Sequence, residues 1–393
     1  GAQAAALQAL LGPLMAQAFG NQSSPTLRSL LAGKPSTVVK PSTSVLDAGI
    51  LMAERRKAAL VVEDGKLVGI FGFKDMMTRV VAKELPLELT ATSKVMTPNP
   101  EAVSPDMTVL DALQSMHDNK FLTLPVCEDD GTVVGLVDVM DVIYGCGGVE
   151  GWRSIFSSAL ELDDLSETGS VQSGRGSVTG SIARSVRSKK SSTAKAEDSR
   201  AVSKLRPKKP LISSASDTVL TVTRMLASKR GDASLVVSDA GGLAGIITDT
   251  DITSRVVAMH LDAASTSISK VMTPNPTCVA LNDSAMEAMS TMVENHFRHL
   301  PVVDENGGVV GLLDIARCLN DAISKLEKSQ SKSGNSAEDA LKQAMNAQGA
   351  QGAQAAALQA LLGPLMAQAF GNQSSPTLRS LLAGKPSTVV KPS

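Results

Sequence analysis

The sequence predicts an α+β chain, built from four copies of one small β-α-β-β-α unit set as two tandem pairs. Lys94-Val-Met-Thr-Pro-Asn-Pro100 returns 176 residues later as Lys270-Val-Met-Thr-Pro-Asn-Pro276. Gly69 of GIFGFKDMMTRVV matches Gly245 of GIITDTDITSRVV at the same offset, and Gly135 of GLVDVMDVI matches Gly311 of GLLDIARCL. Within each half these glycines stand 66 residues apart, so each half holds two copies. A unit of about 50 to 60 residues is marginal alone, so two are expected to bury their sheets against each other.

Taken in order, residues 1–42 read as a helical, low-complexity linker. Leu7, Leu10, Leu11, Leu14 and Ala18 fall on one helical face that Pro13 would bend, and Ser, Pro and Gly then dominate through Lys40. The segment returns unchanged at Gly352–Ser393, which points to a recent duplication, an assembly error or an engineered product. The chain thus reads as one period of about 351 residues plus the start of the next. The four units are expected over 43–84, 94–148, 207–260 and 270–325.

Each unit runs in the same sequence of elements. An extended lead, Pro100–Val103 or Pro276–Ala280, enters an amphipathic helix. That helix carries Val109, Ala112, Leu113 and Met116 on one face in the second unit, and Met286, Met289, Met292 and Val293 in the fourth. A short apolar strand follows, at Leu60–Val62, Leu124–Val126, Leu235–Val237 and Leu300–Val303. Turns such as Glu128–Gly131 and Asp304–Gly307 then close a hairpin. Its second strand leads into a turn and a helix, read most plainly at Leu243–His260. There the strand Leu243–Ile247 turns at Thr248 into a helix whose buried face holds Ile252, Val256 and Val257.

Thr248 stands at the helix N-cap, and Asp251 completes a Ser/Thr-x-x-acid pattern in which each side chain satisfies a free backbone donor. The same helix start presents N–H groups and a positive dipole end to an anion, and so can hold a phosphate. Capping and ligand binding both remain open at this stage. Between the halves, 166–209 is rich in Ser, Gly, Arg and Lys and is expected to be disordered, as a tether whose Arg184–Ser188 serines also suit phosphorylation. Residues 326–393 read as a polar helical tail plus the repeated linker.

Composition excludes several classes of function. With 38 basic and 39 acidic residues and 2% aromatics, there is neither a global field nor a stacking surface to draw nucleic acid, and none to draw an anionic membrane. No apolar run reaches the roughly 20 residues that span a bilayer. The four cysteines are widely spaced, which fits a soluble chain in the reducing cytoplasm. His117, His260 and His296 lack ligand-like spacing, so no metal site is expected, and no catalytic constellation is visible.

The four copies resemble CBS domains, small regulatory modules that pair into a disc. The phrases KVMTPNP, FRHLPVVDENGGVVGLLDI and GIITDTDITSRVVA are similar to the plant, algal and fungal proteins that carry four CBS domains followed by a PB1 domain. No PB1-like segment is visible here, and the halves stand in the reverse of that family's order. The duplicated linker would restore the order in a longer or tandem chain. The resemblance implies clefts for adenosyl nucleotides such as AMP, ADP, ATP or S-adenosylmethionine, with Mg2+ accompanying a triphosphate and no required cofactor. It also implies a homodimer through the pairs and an effector protein that reads the bound state, with a ligand-free structural scaffold as the alternative.

In that family's G-h-h-S/T-x-x-D motif the acid meets the ribose hydroxyls and the Ser/Thr lies near the phosphate. The third copy matches in full, with Gly245, Thr248 and Asp251. The first keeps Asp75 but has Gly72 at the hydroxyl position; the second has Asp138 and Asp141; the fourth has Asp314 and Arg317. Arg255 and Arg79 follow their acids by one turn and are candidates for a phosphate or for ion pairs. Arg298 and His299 precede a strand edge that lines the cleft in the family. Helix capping alone explains the first motif position in all four copies.

Overall fold

An antiparallel hairpin organises each unit, and the computed structural model describes it over residues 25–146, 152–153, 155–160 and 200–328. Expectations placed on 1–24, 161–199 and 329–393 lie outside the described residues. In the first unit Ala59–Glu63 pairs with Lys66–Phe71, and in the third Ala233–Val237 pairs with Leu243–Thr248. The second and fourth hairpins are Thr123–Cys127 with Val133–Asp138 and His299–Val303 with Val309–Asp314. A leading strand runs parallel to the first hairpin strand, at Val38–Val39, Ile212–Ser214 and Val279–Ala280, and as a Val103 to Val126 bridge in the second unit.

The recurring KVMTPNP phrase closes the other edge. Thr97–Pro98 pairs with the strand Lys66–Phe71, and Thr273–Pro274 with Leu243–Thr248. Proline suits such an edge because it has no N–H to give to a further strand. The preceding methionine explains the strand glycine. A Cβ at Gly69 would lie 2.2 Å from Met96 Sδ, and one at Gly245 2.5 Å from Met272 Sδ. At the same position in the second and fourth units, Leu31 and Pro207 cross over Gly135 and Gly311.

Four helices follow the leading strands, over Val45–Arg55, Val109–Asn119, Val219–Lys229 and Ala285–Glu294. Ser44, Thr108, Thr218 and Ser284 cap them, each hydroxyl accepting the backbone N–H three residues on. Val109, Ala112, Leu113 and Met116 are buried, as their spacing predicts. After the motif turn, the first and third units depart from the expected regular helix. The segments Met76–Val80 and Ile252–Val257 widen to i→i+5 bonding, and His260 ends its turn at a φ of 53°. Such widened turns often mark functional sites.

Paired units bury their sheets against each other, as expected. Ala58, Leu60 and Leu136 meet between the first and second units, and Ala233, Leu235, Ile246 and Leu312 between the third and fourth. The helical faces pack across the two pairs. Val45, Met52, Met76 and Val80 share a core with Val219, Leu226, Val256 and Val257. Gly49 makes room in mid-helix, because a Cβ there would come within 3.0 Å of Val257 Cγ1. The second and fourth units do the same through Leu113, Met116, Met292 and Leu319, with Trp152 and Phe156 packed into that core. The helical surfaces of each pair are therefore covered by the other pair of the same chain, so the expected homodimer would need another surface.

Three boundaries shift relative to the sequence reading. Val38–Val39 and buried Leu27 belong to the fold, although both lie within the predicted linker 1–42. Residues 200–209 are also structured: Val202–Leu205 form a turn of 3-10 helix, and Lys208 bridges to Leu312. A helix over 315–328 continues past 325, with Leu326 only 3% exposed. Two-residue strands and single helical turns leave no periodicity for a sequence to display, and Ser, Pro and Gly masked these. Among the described residues, no helix is long and apolar enough to cross a membrane.

Candidate functional site

In each unit the hairpin aims its second strand at a turn whose first residue caps the next helix. Thr248 Oγ1 accepts the Asp251 N–H at 3.2 Å. Asp251 Oδ2 in turn accepts the Thr248 N–H at 2.9 Å and its hydroxyl at 2.8 Å. The capping box is thus real, and it uses one carboxylate oxygen. The other, Oδ1, faces Arg255 Nη1 at 3.4 Å, a salt-bridge distance too long for a strong hydrogen bond. Burial pushes the Asp251 carboxyl above the usual carboxylate range, against the opposing pull of Thr248 and Arg255.

The first unit repeats this geometry without the hydroxyl. Asp75 Oδ2 accepts the Gly72 N–H at 3.0 Å, and Oδ1 lies 3.3 Å from Arg79. Burial raises Asp75 as well, opposed by the Gly72 N–H and by Arg79. Arg79 and Arg255 also donate to the carbonyls of Val95 and Val271, at 2.8 and 3.0 Å. These arginines therefore tie the motif acid to the KVM segment, which favours the ion-paired reading over the phosphate one.

In the second unit both oxygens of the acid are engaged. Asp138 caps its helix through Met140 and Asp141, and Asp141 Oδ2 accepts the Asp138 N–H at 2.9 Å. Lys57, from the first unit, bonds both carboxylates, and Lys34 pairs with Asp141 Oδ1 at 3.3 Å. Burial would raise Asp141, yet these lysines hold it below its ordinary value, while the two carboxylates raise Lys57 against its own burial. Lys57 and Lys34 have no motif to announce them. Lys57 stands just ahead of its hairpin, and its role depends on which turn that hairpin faces across the pair.

The second pair reverses the charge at that place. Asp232, the counterpart of Lys57, receives Arg298 Nη2 at 2.7 Å and Lys74 Nζ of the first unit at 2.7 Å. One carboxylate thereby clips three units together. Burial would raise Asp232, but Arg298 and Lys74 hold it down. Asp249 is buried beside Arg298 and His299, and burial raises it. His299, the strand partner of Asp314, has Nε2 3.6 Å from Asp314 Oδ2, an ion-pair separation rather than a hydrogen bond. Asp314 caps Ala316 and Arg317; burial would raise it, but His299, Arg298 and Lys208 together hold it well below the usual carboxylate range. Arg298 and His299 thus lie among the acids Asp232, Asp249 and Asp314.

Two groups of side chains bring potential metal-ligand atoms together, where the histidine spacing in the sequence predicts no metal site. Asp232, His299 and Asp314 bring potential ligand atoms within 4.8 Å of one another, as do His117, Asp118 and Glu327. In the first group Arg298, Lys74 and Lys208 already neutralise the carboxylates, so a cation would have to displace them. In the second, Asn320 holds His117 Nδ1 at 2.8 Å.

Comparison with known proteins agrees with this architecture. The CBS domain family model matches residues 28–82, 92–146, 202–258 and 268–321. The CBS domain-containing protein CBSCBSPB2 of Arabidopsis thaliana is 32% identical over 320 residues, covering 81% of this chain and 57% of the relative. The meiotically up-regulated gene 70 protein of Schizosaccharomyces pombe is 28% identical over 356 residues, covering 81% of the chain and 48% of that protein. The chain thus spans about half the length of the curated relatives it matches. The crystal structure of protein MJ1225 from Methanocaldococcus jannaschii aligns at a TM-score of 0.53 and 17% identity, over 75% of this chain and 99% of that one, a likeness of fold. Four matched segments, each coinciding with one hairpin unit, show that the chain belongs to the CBS domain family and carries four CBS domains in two tandem pairs.

Proposed function

We propose that this is a non-catalytic regulatory protein that binds an adenosyl nucleotide at the turn Thr248–Asp251 and signals its occupancy to an effector protein. The observation that carries the reading is the division of labour within Asp251. Oδ2 completes the helix cap, while Oδ1 faces Arg255 at 3.4 Å and can accept a ribose hydroxyl without breaking that cap. Thr248 and the helix start then face the phosphate, with Arg298 and His299 across the pair. Thr248, Asp251, Arg298 and His299 form the strong site, and Asp75 a weaker one. Asp138 and Asp141 are closed to a nucleotide by Lys57 and Lys34. AMP, ADP, ATP and S-adenosylmethionine are the candidate ligands, with Mg2+ accompanying a triphosphate, and the cytoplasm is the setting in which such a sensor works.

Signalling follows from the packing. Asp232 joins Arg298 to Lys74, so a phosphate that competes for Arg298 shifts the balance between the two pairs and changes a population that a partner can read. A second reading, a structural scaffold without ligand, is favoured by the capping bonds themselves, which satisfy Thr248 and Asp251 in the absence of any nucleotide. Calorimetry of the full chain with the four ligands separates the two. Binding that is lost in Asp251→Ala supports sensing; a folded chain that takes none of them supports the scaffold. The full chain is required, because the helical faces of 200–328 are buried against the first pair.

A further inference from the structure

Outside the motif turns, one cluster joins the two pairs and carries an excess of negative charge. His117 and Asp118 lie in the last turn of the helix Val109–Asn119 in the second unit, and Glu327 stands on the helix over 315–328 that follows the fourth. Their potential ligand atoms lie within 4.8 Å of one another. In the other such group, Asp232 and Asp314 are met by Arg298, Lys74 and Lys208. Among the described residues, neither Asp118 nor Glu327 has an arginine or lysine ion pair; Glu327 Oε2 faces His117 Nε2 at 3.5 Å instead.

The surroundings fix which atoms point at the cluster. His117 is only 6% exposed, and its Nδ1 donates to Asn320 Oδ1 at 2.8 Å, because an amide oxygen only accepts. Nε2 therefore presents a lone pair to the Glu327 carboxylate, and two electron-rich atoms meet at 3.5 Å. A histidine anchored in this way through one nitrogen has the tautomer and ring orientation of a metal ligand. Gln114, His117 and Asp118 fall at i, i+3 and i+4 of one helix. Gln114 Nε2 donates to Asp118 Oδ1 at 2.6 Å, which orients that carboxylate and leaves Oδ2 to bind. The other end of the same amide, Gln114 Oε1, is buried without a hydrogen-bond partner on a residue only 5% exposed. This acceptor lacks a donor, and a metal-bound water is one.

From this geometry we propose that His117 Nε2, Asp118 and Glu327 bind one zinc ion, with water as the fourth ligand. Tetrahedral zinc with bonds of about 2.0–2.2 Å sets its ligand atoms roughly 3.3 Å apart, so the 3.5 Å pair already matches and exposed Asp118 closes by a side-chain rotation. One imidazole with two carboxylates suits zinc and its transition-metal neighbours over Mg2+ and Ca2+, which favour oxygen ligands alone. The ion offsets two negative charges and ties the second unit to the helix that ends the second pair. Zinc occupancy thereby tightens the grip of one pair on the other, independently of the nucleotide reading.

Calorimetry of the full chain, stripped with EDTA and titrated with ZnCl2, tests this. Wild type should take one equivalent, and His117→Gln and Glu327→Gln should each weaken it tenfold or more. Asn320→Leu, which releases Nδ1 and leaves all three ligands in place, should weaken it about 10–100-fold. CoCl2 should give wild type the visible d–d absorption of a tetrahedral ion, absent from Glu327→Gln. Zinc should also raise the melting temperature of wild type and not that of Glu327→Gln, whose circular dichroism in EDTA checks that it folds. A folded wild type that takes no zinc overturns the proposal. So does zinc binding that holds within twofold in both His117→Gln and Glu327→Gln, or a site that Mg2+ or Ca2+ fills as tightly.

Discussion

Substituting Asp251 by Ala separates capping from binding, because the two roles use different oxygens. Loss of Oδ2 removes the acceptor of the Thr248 N–H and hydroxyl, bonds of 2.9 and 2.8 Å. A lost cap interaction costs about 1 kcal/mol. The gain from no longer burying a carboxylate offsets part of that, since burial holds this group above its usual range. The net change in unfolding free energy should therefore stay under about 1.5 kcal/mol, read as a small fall in denaturant midpoint at unchanged slope. Loss of Oδ1 removes a charged hydrogen bond to the ribose, worth roughly 1.5–3 kcal/mol, or about a tenfold to 150-fold weaker Kd. Thr248→Ala should show the same cap loss with a smaller effect on affinity. The reasoning is refuted if Asp251→Ala keeps wild-type affinity while losing stability, because the carboxylate would then be a cap and nothing more.

Other expectations follow from packing and charge. Leu27→Ala, at a fully buried site within the apparent linker, should cost about 2–5 kcal/mol in chemical denaturation, whereas a true linker residue would cost almost nothing. Gly69→Ala should destabilise by about 1–3 kcal/mol through its clash with Met96, and Met96→Ala in the same chain should recover part of that loss. Asp314, held low in the fold, contributes stability above the unfolded carboxylate pKa that is lost as pH falls through the acid range; Asp314→Asn should flatten that limb of the stability-against-pH curve. Asp249 works in the opposite sense: its raised pKa means that stability is lost as pH rises through its folded value, so Asp249→Asn should raise the denaturant midpoint most at neutral pH. Fragment 200–328 alone should self-associate in light scattering, because Val219, Leu226, Val256 and Val257 lose their cover.

Much of the architecture was legible because it rests on periodicity. Four helices with apolar spacing, four hairpins and paired glycines at a constant offset leave little freedom to the fold. Gly69 and Gly245 could be flagged from the repeat, although only the structure shows Met96 and Met272 lying over them. What stayed hidden depends on contacts between units. Lys57 and Asp232 occupy equivalent places with opposite charges, and neither belongs to a recognisable motif; their partners follow from which turn each hairpin faces. Arg79 and Arg255 left open a phosphate or an ion pair, and the Val95 and Val271 carbonyls favour the latter. The widening after Asp251 leaves no sequence signature, because an i→i+5 turn uses the same apolar residues as a regular one.

The cross-pair cores also govern how the chain must be made. Val45, Met52, Met76 and Val80 wait for Val219, Val256 and Val257, whose codons come some 176 residues later. At about 5–20 residues per second, that delay lasts roughly 10 to 35 s. For that interval the nascent first pair exposes an oily helical face to the crowded exit of the ribosome. Chaperone capture during synthesis, and slow translation between the pairs, would then govern how much of this protein reaches its folded form.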